Sequence, residues 1–116
     1  MLENIGIGID IVDIKRFQEK PFETNHKFYE KIFLKSEIDH CLRKKNSSET
    51  FASKFAIKEA VIKSIEKQIS FLEINTEYKN EKPIVSISND KSLKFLVSVS
   101  HEKDFAIAMV IVEKIK

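Results

Sequence analysis

Apolar and polar positions alternate with period two over residues 4–12. Ile5, Ile7, Ile9 and Ile11 fall on one face, and Gly6, Gly8, Asp10 and Val12 on the other. That is strand spacing. The pattern then predicts helices over 13–20, 25–33 and 36–45, the last opened by Ser36 as an N-cap. Residues 46–50 read as a loop carrying the cap of a further helix over 50–67, which contains no Gly or Pro. Strands are predicted over 71–79, 83–88, 93–100 and 105–114. A turn falls at Asn89–Ser92 and a hairpin connection at His101–Asp104. One strand, then helices, then antiparallel strands is an α+β order, with an antiparallel sheet packed against a long buried helix. Residues 106–112 are apolar on both faces, which predicts a central strand covered on both sides.

With 116 residues, the chain fits a single domain over 1–116 and is too short for two. Hydrophobic residues make up 42%, enough for a core, so the 33% charged residues do not imply disorder. The formal net charge of +2 is far from the strongly basic balance of a dedicated nucleic-acid binder. Cys41 is the one cysteine, which excludes an internal disulfide, a CxxC redox pair and a zinc ribbon. No apolar run approaches the roughly 18–20 residues that span a bilayer. Asp10 interrupts the first apolar run and no basic stretch precedes it, against a signal peptide. The expectation is a reduced, cytoplasmic protein that engages no membrane.

Two carboxylates break the pattern. At 100° per residue, Phe51, Phe55, Ile62 and Ile65 share one sector of the 50–67 helix, Ala52, Ala56 and Ala60 a second, and Ile57 and Val61 a third. The helix is apolar nearly all round, and Glu59 falls between the Phe and Ala stripes. An uncompensated charge there would cost several kcal/mol. Asp10 interrupts an apolar strand on the face of Gly6 and Gly8, which suggests an open trough ending in a carboxylate. Two such oxygens suit a hard divalent cation such as Mg²⁺. The competing readings are an ion pair of Glu59 with Lys63 or Lys58, and a strand-end acceptor or cap at Asp10. Lys54 and Lys58 sit one turn apart, and Lys63 one turn beyond Glu59; singly each reads as solvated, but grouped around a cation they suit a polyphosphate ester. No Walker A or G-x-G-x-x-G sequence is present.

These residues resemble a known family. The stretch Gly6-Ile7-Gly8-Ile9-Asp10-Ile11, with Val12 to Arg16 after it, is similar to the N-terminal motif of the holo-[acyl-carrier-protein] synthases, the short 4′-phosphopantetheinyl transferases. Phe51 through Lys63, with Lys58-Glu59-Ala60 at its centre, resembles their second motif. Phe28–Phe33 and Ser36–Asp39 resemble the region between, and Lys82-Pro83 a Gly-Lys-Pro element without its glycine. Val97–His101 followed by Phe105-Ala106 is similar to their C-terminal hairpin. Two departures stand out: Glu66–Ser70 lacks the glycines many members carry after the second motif, and Ser53 replaces a frequent Gly or Ala.

The resemblance implies a 4′-phosphopantetheinyl transferase-like fold. It also implies transfer of the 4′-phosphopantetheine arm from coenzyme A to a serine of apo acyl carrier protein, in fatty acid biosynthesis, releasing adenosine 3′,5′-bisphosphate. Asp10 and Glu59 would hold Mg²⁺, with Asp10, Glu59 and Lys63 as the catalytic set. Glu59 or a metal-bound water would be the base. Lys54, Lys58, Lys63, Lys82, Pro83, Ser100 and His101 would contact coenzyme A, although for His101 alone a hairpin cap competes. Arg16, Lys27 and, more loosely, Lys20 would meet the acidic carrier protein through contacts weakened by salt. A homotrimer with coenzyme A between neighbours is expected. The alternatives are a small nucleic-acid-binding α+β module and a non-catalytic descendant of the family. Near-zero net charge, and strand aromatics Phe95 and Phe105 that read as core, count against the first. The presence of Asp10, Glu59 and Lys63 counts against the second.

Overall fold

Strand β1 (Ile5–Asp13) forms where the alternation predicts it and pairs antiparallel along its whole length with β5 (Phe105–Lys114). Strand β4 (Leu93–His101) flanks β5 on the other side, giving the order β1-β5-β4. This computed structural model describes residues 2–115. Strands β2 (Ile74–Lys79) and β3 (Lys82–Ile87) form a separate hairpin. Its turn uses positive φ at Asn80 (52°) and Glu81 (66°), a twist that suits a two-residue connection.

The helices are shorter than the pattern suggests. Helix α1 is Lys15–Gln18, and a 3-10 turn at Phe22–Thr24 precedes α2 (His26–Glu30). Helix α3 (Lys35–Leu42) is not capped by Ser36: the Glu37 carboxylate reaches back and accepts the Leu34 N–H at 2.7 Å. Helix α4 (Ser47–Ser64) starts earlier than expected because Asn46 is its cap, with Oδ1 accepting the Glu49 N–H at 3.1 Å. It ends at Ser64, where Ile65 turns extended. Residues 71–73 form a 3-10 turn rather than strand, tied by the Ser70 N–H donating to Glu73.

Helix α4 lies across the inner face of the three-stranded sheet. Gly6 and Gly8 face its backbone so closely that a Cβ on Gly8 would overlap the Ala60 carbonyl, and one on Gly6 the Ser64 carbonyl. The expected open trough is therefore filled by the helix. Behind the helix sit Phe17, Tyr29, Phe33 and Phe51, all buried, with the Phe17 ring 5.8–6.2 Å from those of Phe28, Tyr29, Phe33, Phe51 and Phe55. The opposite face of the sheet is bare. The register places Ile7, Ile111 and Leu96 in one row and Ile9 and Met109 in the next. Ile7 is 64% exposed and Leu96 71%. Strand β5 is central as predicted, but this chain covers only its inner side: Ala106, Ala108 and Val110 are buried while Phe105, Ile107 and Met109 are exposed.

A polar cluster lies sealed on the far flank of α4. Lys58 Nζ donates to Glu37 Oε1 (2.6 Å) and to the carbonyls of Ile32 (2.8 Å) and Phe71 (3.0 Å), which uses all three of its protons. Glu37 Oε2 accepts the backbone N–H and the hydroxyl of Thr76, and that hydroxyl oxygen accepts from Lys54 at 3.0 Å. Lys54, Lys58, Glu37 and Thr76 are all 3% exposed or less. Burial pushes both ammonium groups below the usual lysine range, opposed at Lys58 by its bond to Glu37. Among the described residues no buried side-chain polar atom lacks a partner, the condition under which such a cluster is tolerated.

The glycine seam is testable. Gly8→Ala forces a methyl onto a backbone carbonyl that cannot swing aside, so chemical denaturation should show a loss of about 2 kcal/mol or more, at the upper end of ordinary overpacking. A Gly8→Ala chain as stable as the parent would contradict the seam.

Candidate active site

Asp10 occupies the inner face of β1, opposite Ala108 and two residues beyond Gly8. Since Gly8 touches Ala60, Asp10 comes to the flank of α4 that carries Glu59 and Lys63. Lys63 Nζ donates to Asp10 Oδ1 at 2.9 Å and to the Ile9 carbonyl at 3.1 Å. Lys63 remains half-exposed, whereas the Asp10 side chain is 13% exposed. The i+4 pairing expected between Glu59 and Lys63 is thus replaced by a pairing of Lys63 with Asp10. Among the described residues Glu59 forms no ion pair within 4.0 Å.

The electrostatics follow from that placement. Burial first, and then the charge of Asp10, hold the Glu59 carboxyl above the usual glutamate value, while Lys63 and Arg16 pull it down. The bond to Asp10 raises the Lys63 ammonium above the usual lysine range. Arg16 reaches the same place from α1, its guanidinium lying 5.0 Å from the centre of the Phe55 ring. The site therefore has two oxygen donors close enough to feel each other's charge, with two cations beside them. An oxygen-only pair of this kind, one member half-buried and free of a direct cationic partner among the described residues, fits a hard divalent ion that keeps waters or phosphate oxygens as its other ligands.

The other predicted residues separate into three groups. Lys54 and Lys58, expected beside phosphates, are turned into the interior and present no ammonium to a ligand in this chain. That assignment is corrected by the Glu37 and Thr76 acceptors that hold them. His101 ends β4 with Nδ1 3.2 Å from Glu49 Oε2 at the first turn of α4. It lines a cavity of about 290 Å³ with His40, Lys44, Glu49, Tyr78 and Glu81. Pro83 pairs with Tyr78 in the β2–β3 register and exposed Lys82 follows Glu81, but neither is among the residues that line this cavity. Ser100 does not join it. Opposite Ile107 in the register, Ser100 sits on the outer face of the sheet, away from His101.

Lys20, 5.0 Å from the centre of the Phe28 ring, and exposed Lys27 lie on the helical side with Arg16. The carboxylate pair stands at edge strand β1 and the His101 cavity at edge strand β4, with α4 between. Glu49 and Glu59, ten positions apart, are about 15 Å apart along that helix. Sequence reasoning missed Glu37, Thr76, Glu49, His40 and Tyr78. For Glu37 a signal existed: Phe33, Glu37 and Cys41 follow i, i+4, i+8 spacing, which put a carboxylate on an apolar stripe.

Comparison with known proteins bears on the family and the fold. The model of the 4′-phosphopantetheinyl transferase superfamily matches residues 6–110. The holo-[acyl-carrier-protein] synthase of a Geobacillus species is 42% identical over 118 residues, covering 96% of this chain and 98% of that protein. Its counterpart from Mycoplasma capricolum is 37% identical over 108 residues, covering 91% and 92%. The crystal structure of the Helicobacter pylori holo-[acyl-carrier-protein] synthase in complex with coenzyme A superposes with a TM-score of 0.79 at 36% identity, covering 92% of this chain and 99% of that one. With a β1 acid, an α4 acid and a shared lysine gathered on a fold of this likeness, the chain belongs to the 4′-phosphopantetheinyl transferase superfamily.

Proposed function

We propose that the chain is a single transferase domain moving the 4′-phosphopantetheine arm from coenzyme A to a serine hydroxyl of apo acyl carrier protein, with release of adenosine 3′,5′-bisphosphate. The observation that carries this reading is the gathering of Asp10, Glu59, Lys63 and Arg16 at one place on β1, α4 and α1. Asp10 and Glu59 would hold Mg²⁺. When bound, such an ion neutralises charge on the diphosphate oxygens and the leaving group. Lys63, half-exposed and protonated at neutral pH, orients a phosphate oxygen by donating a hydrogen bond to it. The serine oxygen attacks the phosphorus bearing pantetheine, the bond to the adenylate-side oxygen breaks, and the serine proton passes to Glu59 or to a water beside it. The raised Glu59 carboxyl is suited to accept that proton.

Arg16, Lys20 and Lys27 supply positive charge on the helical side, which favours an acidic carrier protein and a salt-sensitive encounter. The bare sheet face supports a homotrimer. Rows of isoleucine, leucine and methionine across three paired strands are a surface that water disfavours. The trimer would also explain why one chain splits its site. With the carboxylates on one flank of α4 and the His101 cavity on the other, neighbouring copies could join one set to the other across an interface. The same reading places its action in the cytoplasm, in fatty acid biosynthesis.

Mass spectrometry of apo acyl carrier protein incubated with the chain, coenzyme A and Mg²⁺ should show the added phosphopantetheine. Glu59→Gln should keep the fold and lose at least about 100-fold in kcat, and an active Gln variant removes Glu59 from the reaction. The acid limb has a fixed sign. In the metal-free chain a carboxyl raised above its ordinary value loses its ionised form at a higher pH as acid is added, so Mg²⁺ affinity should weaken at a higher pH than an ordinary glutamate dictates. Arg16→Ala removes a charge that lowers Glu59, so the limb should move further toward neutrality. Light scattering tests the assembly: Ile9→Lys on the bare face should give a folded monomer where the parent is a trimer, and a parent that is itself monomeric overturns the trimer.

A further inference from the structure

Helix α4 is held from two sides by contacts of different kinds. Toward the sheet it offers Ala60 and Ser64 to Gly8 and Gly6, with Ala56 and Ala52 following at four-residue intervals along the same face. Small residues meeting glycines set a short separation but present few protrusions against rotation. On the far flank, Lys58 is tied at one nitrogen to three acceptors from three segments: Ile32 after α2, Glu37 on α3 and Phe71 before β2. Glu37 is saturated in turn, with Leu34 N–H and Lys58 on one oxygen and the Thr76 amide and hydroxyl on the other. These bonds are directional and buried, so on this flank they hold the helix against turning, in addition to the packing of Phe51 and Phe55 in the aromatic cluster.

Lys58 and Glu59 are consecutive residues, 100° apart around the helix. Whatever fixes the azimuth of Lys58 fixes that of Glu59. A side-chain tip about 5–6 Å from the axis moves roughly 2 Å when the helix turns by about 20°, and displacements of that size at a reacting centre cost about 100-fold in rate.

We propose that Glu37 is a positioning residue: through Lys58 and Thr76 it sets the rotation of α4 that turns Glu59 toward Asp10. The inference rests on the assignment of Asp10 and Glu59 to the reacting centre. It gives the buried Lys58 a role in which its ammonium need not meet coenzyme A.

The test uses Thr76→Val, which keeps shape but removes the hydroxyl joining Glu37 to Lys54, with Thr76→Ser as the conservative rescue and Glu37→Gln as the stronger lesion. Three readouts are taken on the full chain: melting temperature, kcat and KM for coenzyme A, and Mn²⁺ binding followed by electron paramagnetic resonance. Thr76→Val should lower kcat about 10-fold with KM within about twofold, and weaken Mn²⁺ binding several-fold, while Thr76→Ser restores both. Glu37→Gln, if folded, should exceed Thr76→Val in both losses. Folded Thr76→Val with parental kcat and Mn²⁺ affinity overturns the proposal. So does a variant whose melting temperature falls while kcat and Mn²⁺ affinity hold, because the cluster is then purely structural. If Thr76→Val fails to fold, Thr76→Ala carries the same test: reduced kcat with unchanged KM supports the proposal, and parental kcat and Mn²⁺ affinity overturn it. A parent chain that neither binds Mn²⁺ nor transfers the arm fails differently, overturning the assignment of the centre and this inference with it.

Discussion

The site depends on the absence of two side chains. Gly6 and Gly8 allow α4 to lie with its carbonyls against strand β1, closer than any residue with a Cβ would permit. That approach brings Asp10, on the same face of the strand, to the flank of α4 where Lys63 can bridge to it. It also explains why Glu59 feels both burial and the charge of Asp10. A strand carrying alanines would push the helix outward by an ångström or more and separate the acids. The glycines act by what they leave out, and their conformational freedom plays no part, since both have ordinary negative φ.

A small-to-small seam settles a distance and little else, so the rotation of α4 is left to its other faces, the aromatic packing of Phe51 and Phe55 and a polar cluster. That cluster, around buried Glu37, lies on the face of α4 away from the sheet. A buried ion pair contributes little net stability compared with well-packed apolar residues. Its cost is easier to understand if directionality is what the fold gains from it. Tyr29 shows the same economy of buried polar atoms on a smaller scale. Its hydroxyl donates to the Lys20 carbonyl at the end of α1, and burial pushes it up to about 12, so it stays a neutral donor.

Much of this was legible in the chain. Period-two spacing located β1, the apolar surround of 50–67 located α4, and turn residues divided the C-terminal strands along the chain, though not their pairing order β1-β5-β4. Boundaries were less accessible, because caps and turns depend on single side chains. The cap of α4 lies within 46–50 as expected, but at the first of them, Asn46, so the helix starts earlier than 50, and Glu37 rather than Ser36 closes the start of α3. The glycine face was visible as a row without side chains, but nothing in a strand pattern says whether such a row is filled by solvent or by another backbone. The same blindness affected β5. Apolar residues on both faces predict cover on both faces, and this chain covers one.

The same rule, a charged residue at an apolar position, picked out Glu59 and would have picked out Glu37. It could not tell which of the two faces a ligand. The structure separates them by counting partners. Glu37 accepts four hydrogen bonds from within the chain, and Lys58 gives all three of its protons to internal acceptors. A group so saturated has nothing left to offer a substrate. Glu59 and Lys63 are different. Glu59 has no cationic partner within 4.0 Å among the described residues, and Lys63 spends two protons on Asp10 and Ile9 while half its surface faces water. Spare bonding capacity at an accessible edge, rather than charge at an unexpected place, is therefore what sets Glu59 and Lys63 apart from Glu37 and Lys58 in this fold. Sequence shows the unexpected charge, but the spare capacity is a property of neighbours brought together from distant parts of the chain.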